Sequence, residues 1–96
     1  MERLKKAIYR ETILLTSLGL EAEAIGALVF RSKRAIEDRQ KTLLNIFTTN
    51  GEKRTMMLVI YRARQTGLLA QLEEEYKTKY AAQIAAAAKL PPWVKD

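Results

Sequence analysis

Apolar positions recur at steps of three and four along most of the chain, a period that predicts helices and no strands. Leu4, Ala7, Ile8, Leu14, Leu15 and Leu18 mark a first amphipathic helix of about four turns, and Gly19 is placed to end it. Glu21 to Phe30 reads as a short second helix, with Glu21 and Glu23 at its positive end and Ile25, Leu28 and Val29 turned inward. Arg31 marks a turn. Ser32 is an N-cap for a third helix running to about Thr48, in which Ile36, Leu43, Ile46 and Phe47 keep the period. Its other face carries Lys33, Arg34, Glu37, Asp38 and Lys41. Thr48-Thr49-Asn50-Gly51 is a turn, followed by a fourth helix with Met56, Met57, Ile60 and Ala63 on one side and Gly67 at its end. From Leu69 to Lys89 one long helix is expected. Leu69, Leu72, Tyr76, Tyr80, Ile84 and Ala88 form a stripe along it, the run Ala85 to Ala88 has high helix propensity, and Pro91-Pro92 stops it.

Composition narrows the functions open to such a chain. At 96 residues it buries only about two-thirds of the surface exposed on unfolding, so self-association would add useful stability. It has no Cys and no His, which removes disulfides, thiolate nucleophiles, the commonest general base and the commonest metal ligand. Together with the absence of a glycine-rich phosphate loop, this argues against an enzyme and predicts neither cofactor nor metal. No apolar run reaches the ~18 residues of a membrane span, and the first residues lack a signal-peptide pattern, so a soluble, cytoplasmic protein without a membrane role is expected.

The net charge of +6 is unevenly placed: residues 1–66 hold thirteen Lys/Arg against seven Asp/Glu, and residues 67–96 hold four of each. One basic cluster is Arg31, Lys33, Arg34, Arg39 and Lys41, and a second is Lys53, Arg54, Arg62 and Arg64. Such surfaces suit a polyanion, because each neutralised phosphate releases counterions, and otherwise serve as a solvated, solubilising face.

Between Glu11 and Phe47 the chain runs Glu11, Ile13, Leu15, Gly19-Leu20, Ile25-Gly26, Val29-Phe30-Arg31-Ser32, Ala35-Ile36-Glu37 and Leu43-Leu44. In this register it resembles the DNA-binding domain of the LuxR, FixJ and NarL response regulators and their stand-alone relatives. Further on, Arg54-Thr55, Ala63 and Gly67-Leu68-Leu69 are similar to the end of that domain, across a connection about four residues longer. The resemblance covers about two-thirds of the chain. It implies a four-helix LuxR-like helix-turn-helix domain over residues 1–67, to which residues 68–96 add a helical extension and a Pro-Pro-Trp tail. It also implies that Glu37, Asp38 and Lys41 stand where base edges are read, and that the fourth helix dimerises.

The expected function is therefore a DNA-binding transcriptional regulator that inserts the third helix into the major groove as a homodimer. Its expected DNA-facing residues are Arg31, Lys33, Arg34, Glu37, Asp38, Arg39, Lys41, Lys53 and Arg54. Met57, Ile60, Leu69, Leu72, Tyr76, Tyr80 and Ile84 are expected to form the dimer seam. Two acids at reading positions are a departure from the resembled pattern. Glu37 and Asp38 either discriminate bases, accepting from cytosine N4 at some cost in affinity, or mean that this helix does not read DNA in the usual pose; the plainer reading pairs Glu37 with Lys33, Arg34 or Lys41 at helical spacing. They also motivate the alternative, a helical antiactivator or adaptor that keeps the scaffold to bind another regulator or RNA polymerase. Of the remaining features, Met56 and Met57 fit a core better than an adaptable binding surface, and Tyr76 and Tyr80 fit burial or a helix pair better than base stacking. Glu73-Glu74-Glu75 fits a solvated face, and Trp93 either anchors a partner or folds back.

Overall fold

The computed structural model describes residues 6–89, so Leu4, Pro91, Pro92 and Trp93 lie outside the described residues. Six helices form, with no strand among those residues: α1 (Ala7–Ser17), α2 (Ala22–Val29), α3 (Lys33–Phe47), α4 (Met56–Gln65), α5 (Leu68–Glu75) and α6 (Ala81–Ala88). Local chemistry sets most of the boundaries. Gly19 takes φ +91, its N–H returns to the Thr16 carbonyl at 3.0 Å, and Leu20 N–H reaches the Leu15 carbonyl at 3.2 Å. That pair of bonds is a Schellman closure, which satisfies carbonyls left open at the end of α1. Ser32 Oγ accepts from Ala35 N–H at 3.1 Å at the start of α3, and Thr55 Oγ1 accepts from Leu58 N–H at 3.3 Å at the start of α4.

α1 is the central helix. Its five consecutive residues Glu11 to Leu15 are all buried, because α2, α3, α4 and α5 pack around it. The core joins Ile13, Leu14 and Leu15 to Ile25 of α2, Ile36 and Leu43 of α3, Val59 and Ala63 of α4, Leu69 and Leu72 of α5, and Tyr80. Burying Glu11 and Thr12 requires partners for their polar atoms. Thr12 donates to the Ile8 carbonyl at 2.7 Å, and Lys79 Nζ donates to Glu11 Oε1 at 2.5 Å.

Three expectations about helices are corrected. The long helix from Leu69 to Lys89 is interrupted between Tyr76 (φ −106, ψ 14) and Tyr80 (φ −116, ψ 32), giving α5 and α6. Neither Gly nor Pro lies there; the cause is tertiary. Tyr80 turns into the core beside α1, Lys79 pairs with Glu11, and Glu75 pairs with Arg10. On α4 the buried line is Val59 and Ala63, flanked by Met56 and Ile60, so Met57 is 67% exposed rather than in the core. In α1, Ala7 and Ile8 are exposed instead of facing inward.

Candidate nucleic-acid interface

α2 and α3 are joined by only three residues, Phe30, Arg31 and Ser32. Backbone contacts close this link. Phe30 is left-handed (φ 58, ψ 46), and Arg31 N–H donates to the Gly26 carbonyl at 2.9 Å. Gly26 allows the approach, since a Cβ there would lie 2.5 Å from the Arg31 carbonyl oxygen. Phe30 is 87% exposed.

Beyond the turn, Ile36 and Leu43 of α3 are buried, while Lys33, Arg34, Glu37, Asp38 and Lys41 are exposed and Arg39 is half-buried. Arg34, Glu37, Asp38 and Lys41 line one shallow cleft of about 370 Å³. The expected pairing of Glu37 with Lys33, Arg34 or Lys41 does not form. Among the described residues, no ion pair engages Glu37 or Asp38. Arg31 is also exposed, and among the described residues its guanidinium donates only to the neighbouring Phe30 carbonyl at 3.1 Å.

The second basic cluster is used differently. The link from α3 to α4 has eight residues, 48–55, and polar side chains brace it. Thr49 donates to Glu52 Oε1 through both its N–H, at 2.7 Å, and its hydroxyl, at 2.8 Å. Arg62 donates to both oxygens of the same carboxylate and to the Phe47 carbonyl at the end of α3. Arg62 first, then Thr49, hold the Glu52 carboxyl down at about 2. Arg54 donates to Thr48 Oγ1 at 3.2 Å and to Asn45 Oδ1, and Lys53 is exposed. Arg54 and Arg62 are therefore structural braces as well as charges.

The stripe expected to form a dimer seam is largely internal. Leu69, Leu72 and Tyr80 are buried in the chain's own core, and Tyr76, Ile84 and Ile60 are half-buried against it. α5 packs on α1 and buries Leu69 and Leu72, and Tyr80 joins the same core, which leaves little of the stripe for a partner. Burial, then the Glu11 charge, raises the Tyr80 phenol above its usual range.

A second exposed surface lies on α4, where the dimer seam expected from sequence includes Met57 but neither Leu58 nor Tyr61. Met57, Leu58 and Tyr61, with Glu52, Lys53 and Thr55, line an open cleft of about 520 Å³. Met57 and Tyr61 are among the few exposed large hydrophobic side chains. Its signal was present: Met57 and Tyr61 are four apart, and they form a second apolar line beside Met56, Val59, Ile60 and Ala63. A helix apolar on two sides needs cover for both.

Among the described residues, no group of His, Cys, Asp or Glu is arranged to hold a metal ion, and no helix is long and apolar enough to cross a membrane. No protein-family model, no curated protein and no solved structure matches the chain.

Proposed function

We propose that the chain is a DNA-binding transcriptional regulator that acts as a homodimer and lays α3 in the major groove of duplex DNA. The observation that carries this reading is the α2–turn–α3 unit. A three-residue turn closed by its own backbone presents a capped helix whose first nine residues expose Lys33, Arg34, Glu37, Asp38 and Lys41. That is the outline in which one helix crosses the phosphate backbone and the next enters the groove. The resemblance of the segment from Glu11 to Phe47 to LuxR-type domains points the same way. In this reading Arg31, Lys33 and Arg34 contact phosphates and set the register, while positions further along α3 face the bases. With Leu69, Leu72 and Tyr80 internal, the dimer seam moves to the outer side of α4, at Met57 and Tyr61 beside Ile60.

The test is retardation of duplex DNA at low salt, followed over a salt series. Binding that weakens linearly in the logarithm of salt concentration is expected. Failure to retard any duplex, or binding indifferent to salt, refutes the reading.

The α4 cleft also favours a second reading, in which the same scaffold is an adaptor or antiactivator that covers Met57, Leu58 and Tyr61 with another regulator or RNA polymerase. The exchange Glu37→Ala with Asp38→Ala separates the two. Under the adaptor reading DNA affinity stays negligible, whereas under the first it changes and sequence preference relaxes.

A further inference from the structure

Arg34, Glu37, Asp38 and Lys41 stand at positions i, i+3, i+4 and i+7 of α3, so they share one face and line one cleft. At the α-helical rise, Arg34 to Lys41 spans about 10 Å, the height of about three stacked base pairs. The cations stand at the two ends and the carboxylates in the middle. Four carboxylates elsewhere hold a base, Glu11 with Lys79, Glu52 with Arg62, Glu74 with Lys77 and Glu75 with Arg10, whereas the exposed Glu21, Glu23 and Glu73, like Glu37 and Asp38, engage none among the described residues. Glu37 and Asp38 have cations one turn away and engage neither, which leaves their acceptor oxygens open to solvent.

Resting on the proposed regulator reading, we infer that Glu37 and Asp38 are specificity-determining residues that select cytosine on the contacted strand. An ionised carboxylate only accepts hydrogen bonds. In the major groove, guanine offers N7 and O6, both acceptors, and thymine offers O4, so these bases repel it. Adenine N6 donates but lies between its own N7 and the O4 of the paired thymine. Cytosine N4 donates with an acceptor on one side only, the other side being the C5–H edge. Cytosine is therefore the base that a carboxylate meets with least repulsion. Arg34, at the end of the row next to the turn, is placed to contact a phosphate. On a mismatched duplex the carboxylates face acceptors and phosphates without compensation, so they also act against wrong sites.

The experiment is selection from a random duplex pool by the full chain and by the variant E37Q/D38N, followed by retardation of the enriched duplexes with N4-methylcytosine at the enriched cytosines. The N4-methyl group removes the donor that faces the major groove. Enrichment of cytosine is expected for the unaltered chain, with about a tenfold loss of affinity on N4-methylation. The amide variant is expected to shift its preference toward adenine, which pairs with amides through N6 and N7, and to bind mismatched duplex more tightly. Both substituted residues are exposed, so the fold is expected to persist by circular dichroism. Selection of a site without cytosine enrichment, or an unchanged cytosine preference in the variant, overturns this inference and leaves the regulator reading standing. Absence of any retarded duplex at low salt overturns both.

Discussion

Lys33, Arg34 and Lys41 project from α3 with no carboxylate bound to them among the described residues, whereas Arg54 and Arg62 are drawn into the link between α3 and α4. In sequence the two basic clusters are alike in density. What separates them is the length of the connection each one borders. The three-residue turn before α3 satisfies itself through Arg31 N–H, the Gly26 carbonyl and Ser32, so its neighbouring cations are left for solvent or a partner. The eight-residue link after α3 leaves polar groups that its own backbone does not satisfy, and Arg54, Arg62, Glu52 and Thr49 supply the partners. A basic cluster read from sequence is thus a stock of charge, and local backbone demand decides how much of it remains for recognition.

The sharpest way to break this comparison is to remove charge from each side. Lys33→Ala with Arg34→Ala is expected to lower DNA affinity about a hundredfold at low salt and to reduce the salt slope by about two, with the thermal midpoint unchanged. Arg62→Ala is expected to do the reverse, lowering the midpoint in a thermal melt while leaving the salt slope as it was. A reduced salt slope for Arg62→Ala shows that the two clusters serve one surface, and the distinction falls.

Next in size is Gly26→Ala. The added methyl lies 2.5 Å from the Arg31 carbonyl oxygen, a backbone atom that moves only if the turn opens. A loss of about 1–3 kcal/mol in urea unfolding is expected, as for overpacked sites, and DNA binding should fall with it because α3 is re-aimed. Wild-type stability for this variant removes the claim that the turn is self-sufficient.

The brace around Glu52 is tested by pH. Its carboxyl titrates at about 2 in the folded chain, against an ordinary value of 4.5, chiefly because Arg62 and Thr49 bond the charged form. A depressed folded value means that its contribution is complete above 4.5 and is lost as pH falls toward about 2. Urea midpoints measured across that window should decline in the unaltered chain and decline less in Glu52→Gln. Identical pH profiles contradict the brace.

The smallest effect is expected at Phe30. A phenylalanine in the left-handed region at φ 58 carries strain, and the residue, 87% exposed, gains little from burial. Phe30→Asn is expected to stabilise the chain by about 1 kcal/mol or less, read from the same urea curves. Destabilisation shows that the ring supports the turn in a way that its exposure hides.

Much of this architecture was written locally. Gly19, Ser32 and Gly67 act on backbone groups within a few residues, so the ends of α1 and α4 and the start of α3 follow from the chain itself. The buried face of α3 and its exposed charges were equally legible, because a single apolar line at helical period leaves only one way to face inward. By contrast, α4 has two apolar lines, and periodicity does not choose between them. Packing against α3, α5 and α1 chose Val59 and Ala63 and left Met57 and Tyr61 outside.

The sequence by itself thus determined an all-helical chain, most of its helix boundaries and a third helix whose outer face is charged. Only the tertiary structure decided the break between α5 and α6, the internal fate of Leu69, Leu72 and Tyr80, and which charges pair. The physical reason is range. Capping and hydrophobic period are set by neighbours a turn or two away, whereas Glu11 meets Lys79 and Arg10 meets Glu75 across 68 and 65 residues of chain. Glu37 and Asp38, with cations within a turn of them, are left unpaired because nothing folded against that face asks for them.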